Sequence, residues 1–182
     1  QYRRYDDELV HALQTASWYG DYLHEQAMHA EALENADMPP PPMPATAQYE
    51  LARSRLHPIR ALTSGAEVIA PAPFYAGGRW RYTARSAWWS DYRERVPVLV
   101  GHYWRHWYPR DADPTRENLM PPQNNAWHGA AHNVFCIDYS VGARWRDRKA
   151  GIAPAHSEFR LAAMRWPERV LVFDDGEVAA TV

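Results

Sequence analysis

The stretch that decides the predicted fold is Arg95-Val-Pro-Val-Leu-Val-Gly-His-Tyr-Trp-Arg-His-Trp107. Its apolar run, residues 96–100, is typical of a strand buried on both faces, and Gly101 is predicted to allow a sharp exit from that strand. His102 is the first side chain beyond it. Ligands of open α/β sheets gather just past the carboxyl ends of strands, so we interpret His102 as a candidate metal ligand. The alternative is a structural histidine bonded to a loop carbonyl.

A second buried strand is predicted at Asn133-Val-Phe-Cys-Ile-Asp-Tyr-Ser140. It also ends in polar residues, and we expect Asp138 to emerge near the end of its strand as His102 does. Cys136 lies in the middle of the apolar run with no base placed beside it, so we do not expect it to be a nucleophile.

Length and composition exclude several classes of protein. The chain has 182 residues, 46% of them hydrophobic, a formal net charge of -2 and one cysteine. This is one globular domain's worth of chain, and its charge argues against a general affinity for nucleic acid. A single cysteine cannot form an internal disulfide, and no apolar run approaches the roughly 18 residues of a membrane span. We therefore expect a soluble, cytoplasmic protein.

The segment before the opening stretch reads as helices followed by a hairpin. Apolar residues recur at helical spacing over residues 5–35 and again over Gln48–Leu62, which Gly65 is predicted to close. The prolines of residues 38–44 predict a stiff connection between them, or a ligand for an SH3-type domain. Residues 67–74 and the alternating Arg79–Arg85 predict a hairpin.

The segment after it predicts a loop and a meander. Residues 109–129 form a long polar loop, and residues 141–156 a basic loop or short helix. Alternation over Phe159–Arg165, a turn at Trp166 and the return over Arg169–Phe173 predict a C-terminal β-meander.

Several elements in this order resemble one known family. Val-Pro-Val-Leu-Val-Gly-His-Tyr-Trp (residues 96–104), Asn-Val-Phe-Cys-Ile-Asp-Tyr-Ser-Val-Gly (residues 133–142) and Leu-Ala-Ala-Met-Arg-Trp-Pro-Glu (residues 161–168) are similar to the C-terminal half of calcineurin-like metallophosphoesterases. The match is to a branch with Gly-His-Tyr-Trp in place of Gly-His-x-His. The likeness covers roughly residues 51–182.

The resemblance implies an α/β fold, a β-sandwich of mixed sheets flanked by helices, of which this chain is only the C-terminal half. Residues 1–47 would be a helical segment with a proline-rich loop, and residues 48–182 the phosphoesterase-like part. It implies two divalent metal ions (Mn, Fe or Zn) that hydrolyse a phosphate ester. His102 matches the first histidine of the family's motif, and Trp104 stands where the second would be. Arg105 is a candidate to bind the phosphate, the alternative being a surface salt bridge.

The family's amino-terminal motifs, which supply most ligands, are absent from the sequence. Most metal ligands are therefore expected outside this chain, either upstream or on another chain, with His11 as a weak candidate for a second ligand. A single confident ligand is too few for a catalytic metal, so the chain alone is predicted to show negligible phosphatase activity. Its expected partners are a phosphorylated substrate and the missing N-terminal half, with no membrane.

A second interpretation is a binding module without catalysis, for single-stranded nucleic acid or protein. Guanidinium and indole groups interleave in the sequence, and such surfaces stack unpaired bases. The residues are Arg79, Trp80, Arg81, Arg85, Trp88, Trp89, Arg105 and Trp107. The net charge argues against nucleic acid. A third is an interaction domain that keeps the fold without the metals.

Overall fold

A computed structural model describes residues 2–107, 119 and 123–182. The chain divides into two compact units, residues 1–86 and residues 87–182, each taken by itself below. Residue 47 lies inside a helix of the first unit, so the sequence-based boundary after it does not coincide with this division. Most of the predicted loop at residues 109–129 lies outside the described residues.

Five helices precede the first strand in unit 1. They are α1 (Tyr2–Gln14), α2 (Tyr19–Met28), α3 (Ala30–Glu34), α4 (Pro44–Arg55) and α5 (Pro58–Ser64). The helical pattern of residues 5–35 is confirmed, and it is divided among three helices. One break follows Gln14, where the Thr15 hydroxyl bonds back to the His11 carbonyl at 2.9 Å and competes with the helical backbone. Gly65 ends α5 with a φ of 84°.

The proline-rich connection is a fixed part of this unit. Pro40 and Met43 are buried while the prolines between them are exposed, which is the three-residue repeat of a polyproline II helix. The Tyr82 hydroxyl donates to the Pro41 carbonyl at 3.1 Å. Met43 then joins a core of Leu33, Ala47 and Tyr82. The connection is therefore packed along one side.

Glu25 of α2 caps the start of α4. One carboxylate oxygen accepts from the Ala45 N–H at 3.1 Å, and the other accepts from the N–H and hydroxyl of Thr46 at 2.7 and 2.8 Å. The two N–H groups are backbone donors that have no partner within the helix, and a negative charge there also interacts favourably with the helix dipole. Glu25 thereby fixes α2 to α4.

Replacement of Glu25 by glutamine should lower the free energy of unfolding by about 1 to 2 kcal/mol, because an amide removes the charge and one acceptor. Urea denaturation followed by circular dichroism measures the change. Glu31→Gln, at an exposed position of α3, is the matched control and should change stability by less than about 0.5 kcal/mol. Equal effects of the two substitutions would refute the capping role.

The predicted hairpin is confirmed as β1 (Glu67–Ala76) and β2 (Arg79–Arg85), joined by Gly77 and Gly78 at φ values of 61° and 84°. The pairing register shifts between Ile69 and Phe74, a segment that includes prolines unable to donate to a ladder. The N–H groups of Tyr82 and Thr83 donate instead to one oxygen of Glu50, at 2.8 and 3.1 Å. This side chain of α4 therefore replaces part of the strand ladder.

Unit 2 contains both of the strands that were predicted to end in polar residues. β3 (Val98–Val100) and β4 (Val134–Cys136) pair in parallel, with Leu99 opposite Phe135. β4 is wholly buried, as predicted. The prediction of a buried strand at residues 96–100 is wrong in part: the strand begins only after Pro97, and Val96 and Leu99 are 66% and 45% exposed. Within the described residues β3 pairs with a strand on one side only.

The C-terminal meander is confirmed. β5 (Ala162–Arg165), β6 (Val170–Phe173) and β7 (Val178–Ala180) form an antiparallel sheet, and a short helix, α6 (Arg144–Lys149), precedes them. The main core of the unit joins this sheet to β4 through Trp127, Phe135, Tyr139, Leu171 and Phe173. Together the described residues form a mixed α/β structure with sheets of two, two and three strands.

Two arginines bind the turn between β6 and β7. Arg144 makes a bidentate pair with Asp174, and Arg160 donates to Asp175 and, at 2.7 Å, to Glu177. The Arg144 guanidinium lowers the pKa of Asp174. Arg160 is 3% exposed and lies 4.0 Å from the centre of the Phe173 ring. These arginines hold the meander together.

Candidate functional site

The segments that follow β3 and β4 are bonded to each other. We call residues 101–105 and 137–140 the loop pair. The Ile137 N–H donates to the Val100 carbonyl at 2.9 Å, and the Arg105 N–H donates to the Asp138 carbonyl at 3.1 Å. Parallel pairing brings the carboxyl ends of both strands to the same edge. The expectation that Asp138 emerges near the end of its strand, as His102 does, is therefore confirmed, and the parallel pairing brings the two residues together.

Asp138 holds the loop pair through its carboxylate. Oδ2 accepts from the His102 N–H at 2.7 Å, and Oδ1 accepts from the Ser140 N–H at 2.9 Å. The Ser140 hydroxyl donates to the Arg105 carbonyl, in the other segment of the loop pair, at 2.8 Å. Both carboxylate oxygens thus already bind backbone donors, and Asp138 fixes where the His102 backbone lies.

The sharp exit from β3 falls on His102, not on Gly101 as predicted. His102 and Trp104 have φ values of 69° and 56°, in the left-handed region. That region costs roughly 1–2 kcal/mol for a residue with a side chain, and such strain is concentrated at functional sites. A Cβ added at Gly101 would lie 3.8 Å from the Asp138 Cβ, an ordinary contact. The strain is therefore carried by the histidine, and the Asp138 hydrogen bond offsets it.

The His102 imidazole is half-buried and contacts the Trp104 indole. The indole Nε1–H donates to Nδ1 of His102 at 3.3 Å, and the ring centres are 6.2 Å apart. Trp104 itself is 45% exposed. His11, the other histidine considered as a ligand, is an exposed residue of α1 in unit 1, and its role as a ligand stays a prediction.

Arg105 points into the interior of unit 2. It is 6% exposed, and its guanidinium donates to the Gln123 carbonyl at 2.7 Å, to the Cys136 carbonyl at 3.4 Å and to Nε2 of His128 at 3.3 Å. This arrangement is not the surface salt bridge considered as an alternative. A contact with phosphate stays a prediction. Burial of the guanidinium lowers the pKa of Arg105.

The pairing of Arg105 with His128 has no signal in the sequence, since the residues are far apart along the chain. An arginine can only donate, so Nε2 of His128 accepts and the neutral ring carries its proton on Nδ1. His128 is 4% exposed. Burial, helped by the positive charge of Arg105, lowers the pKa of His128 to about 4. The ring is neutral at pH 7.

Stability should depend on this histidine below neutral pH. The native pKa is about 4 and the unfolded value about 6.5, so the unfolded chain binds more protons between these values. The contribution of His128 is complete above pH 6.5 and is lost as the pH falls toward 4, by an amount on the order of 3 kcal/mol. Urea denaturation at pH 7.0, 6.0 and 5.0 measures this loss. His128→Gln should flatten the profile, while His156→Gln, at an exposed position, should not. An unchanged slope in His128→Gln would contradict the assignment.

Cys136 is a buried thiol. It lies in β4 with 0% exposure, and burial raises its pKa. A high pKa and an inaccessible sulfur are features of structural cysteines.

The arginines and tryptophans of the binding-module interpretation are divided between the two units. Trp89 and Arg105 are 4% and 6% exposed, and Trp107 packs against the core of unit 2. In unit 1 the Trp80 indole donates to the Asn35 carbonyl at 2.9 Å. Trp89 and Arg105 are thus buried away from any base that would stack at the surface.

No group of three or more His, Cys, Asp or Glu side chains that could hold a metal occurs among residues 2–107, 119 and 123–182. No helix in that part of the chain has the length and apolar character needed to cross a membrane. No family model, curated protein or solved structure matches the chain.

Proposed function

We propose that this chain contributes His102 to the dinuclear metal site of a calcineurin-like metallophosphoesterase, which hydrolyses phosphate esters. The observation that supports this most is the backbone of His102. It is left-handed directly after a parallel strand and is held there by Asp138 from the end of the neighbouring strand. The edge formed by the carboxyl ends of the strands is where α/β folds place ligands, and the His102 imidazole lies at this edge.

His102 fits the metals that the proposal requires, but only as one ligand. Imidazole suits zinc and iron, whereas a catalytic zinc normally has three protein ligands. The remaining ligands would come from polypeptide outside this sequence. When bound, two metals would stabilise the charge on the phosphoryl group and activate water for hydrolysis of the ester.

The other residues of the loop pair position His102. The Asp138 carboxylate accepts from the His102 N–H and from the Ser140 N–H. The Ser140 hydroxyl donates to the Arg105 carbonyl in the other segment of the loop pair. Direct binding of phosphate by Arg105 would require its guanidinium to leave the Gln123 and Cys136 carbonyls. We therefore propose that the main role of Arg105 is structural, as an anchor that holds the loop pair to the interior of unit 2.

Phosphatase assays test the proposal. The chain alone, with Mn²⁺ and p-nitrophenyl phosphate, should show negligible turnover, because one ligand cannot hold a catalytic metal. Together with the polypeptide that carries the family's amino-terminal motifs it should be active, and His102→Ala should then lower kcat/KM about 100-fold. His156→Ala is the control. Turnover by the isolated chain, or an assembled enzyme indifferent to His102→Ala, would contradict the proposal.

A further inference from the structure

The lone pair that a metal would take on His102 is already in use. A neutral imidazole has one N–H and one acceptor nitrogen, and an indole N–H can only donate. Since the Trp104 indole donates to Nδ1, that nitrogen is the acceptor and the ring proton is on Nε2. Nδ1 therefore faces the indole, and a metal at Nδ1 and the indole hydrogen bond exclude each other.

We propose that Trp104 is a positioning residue for His102. Its indole N–H selects the tautomer in which Nδ1 is unprotonated, and it stays hydrogen-bonded to Nδ1 until a divalent metal displaces the indole. The inference rests on the proposed function and names a task for the residue that stands in place of the family's second histidine. The left-handed backbone of both residues brings the two rings together over only two positions of the chain. The indole is 45% exposed, so it can swing into solvent without opening the core.

Loss of the indole donor should strengthen metal binding at His102. In the wild-type chain the metal must first replace a hydrogen bond, whose net value corresponds to about a 2- to 10-fold change in affinity. Trp104→Phe keeps an aromatic ring and a Cβ but has no donor. Trp145→Phe is the matched control, since Trp145 is exposed to nearly the same extent, 46%, on α6 of the same unit.

The first measurement needs no metal. Long-range ¹H–¹⁵N correlation spectra at pH 8 distinguish protonated from unprotonated ring nitrogens, and loss of signals in His102→Gln assigns the residue. We expect Nδ1 of His102 to be the unprotonated nitrogen and its shift to move in Trp104→Phe but not in Trp145→Phe. A protonated Nδ1, or a shift that ignores Trp104→Phe, would overturn the proposal.

The second measurement is a Zn²⁺ titration followed through the same His102 signals. Trp104→Phe should reach half-saturation at a 2- to 10-fold lower Zn²⁺ concentration than the wild type, and Trp145→Phe should not differ from it. Equal binding in all three would leave the proposed metal site standing and refute the role of Trp104. If Zn²⁺ perturbs His102 in none of them, the displacement step fails; the phosphatase assay of the assembled enzyme then decides the metal site, and the tautomer spectra decide whether Trp104 orients the ring.

Discussion

Replacement of Gly129 by alanine is expected to lower the free energy of unfolding by about 3 to 5 kcal/mol. A Cβ at this position would lie 2.5 Å from the Trp89 carbonyl oxygen, which is a backbone atom that cannot turn aside. Gly129 also has a φ of 82°, so alanine would add the cost of the left-handed region to that of overpacking. Urea denaturation followed by tryptophan fluorescence measures the loss.

The Gly129→Ala substitution should also disturb the loop that leads into β4. The His128 N–H donates to the Val134 carbonyl at 2.7 Å, and the His132 N–H donates to the Gly129 carbonyl at 3.1 Å, so this tight turn delivers the chain into the strand. Gly142→Ala is the control, because a Cβ there meets nothing within 4 Å. It should change stability by less than about 1 kcal/mol. A Gly129→Ala protein as stable as Gly142→Ala would show that Trp89 does not pack against this turn.

Replacement of Arg105 by methionine is expected to cost about 3 to 4 kcal/mol of unfolding free energy. Methionine fills much of the space but leaves the Gln123 carbonyl, the Cys136 carbonyl and Nε2 of His128 without their donor. Each lost bond to a charged group is worth roughly 1.5–3 kcal/mol, and relief from burying the guanidinium offsets part of the sum. Chemical denaturation at pH 7 gives the value.

Arg148→Met, at an exposed position of α6, provides the control and should be nearly neutral. Arg105→Met should also raise the pKa of His128 above its native value of about 4, because the nearby positive charge is removed while burial remains. The loss of stability below pH 6.5 should then be smaller than in the wild type. A mutant with unchanged stability and an unchanged pH profile would place the guanidinium elsewhere.

Periodicity identified the elements of the chain because burial imposes it. The hairpin of unit 1 and the C-terminal meander followed from alternating residues and from glycine turns. β4 followed from an uninterrupted apolar run, as expected for a strand covered on both faces. The same pattern misled at β3, whose equally apolar run is half-exposed within the described residues. A pattern reports what a strand can bury, and not whether a second layer covers it.

Only those features of the site that depend on residues close together in the sequence could be predicted. His102 and Asp138 were each expected just past the end of a strand, but the hydrogen bond that joins them was not predicted. The left-handed backbone was assigned to Gly101, since glycine adopts it without strain, yet His102 carries it. The pairing of Arg105 with His128 depends on tertiary structure that has no local signal. Trp104 was interpreted only as a replacement of the family's second histidine, because no sequence pattern indicates that an indole donates to a particular imidazole.

Anomalous diffraction from crystals of the chain soaked in ZnCl₂ tests the central claim, that His102 is a metal ligand, most directly. We predict an anomalous peak about 2.0–2.1 Å from Nδ1 of His102, the usual zinc–imidazole distance, with the Trp104 indole moved away from that nitrogen. The same soak of His102→Gln should lack this peak and keep any peaks at exposed histidines. Zinc bound at other histidines of the wild-type crystal, with none at His102 and the indole hydrogen bond intact, would contradict the claim.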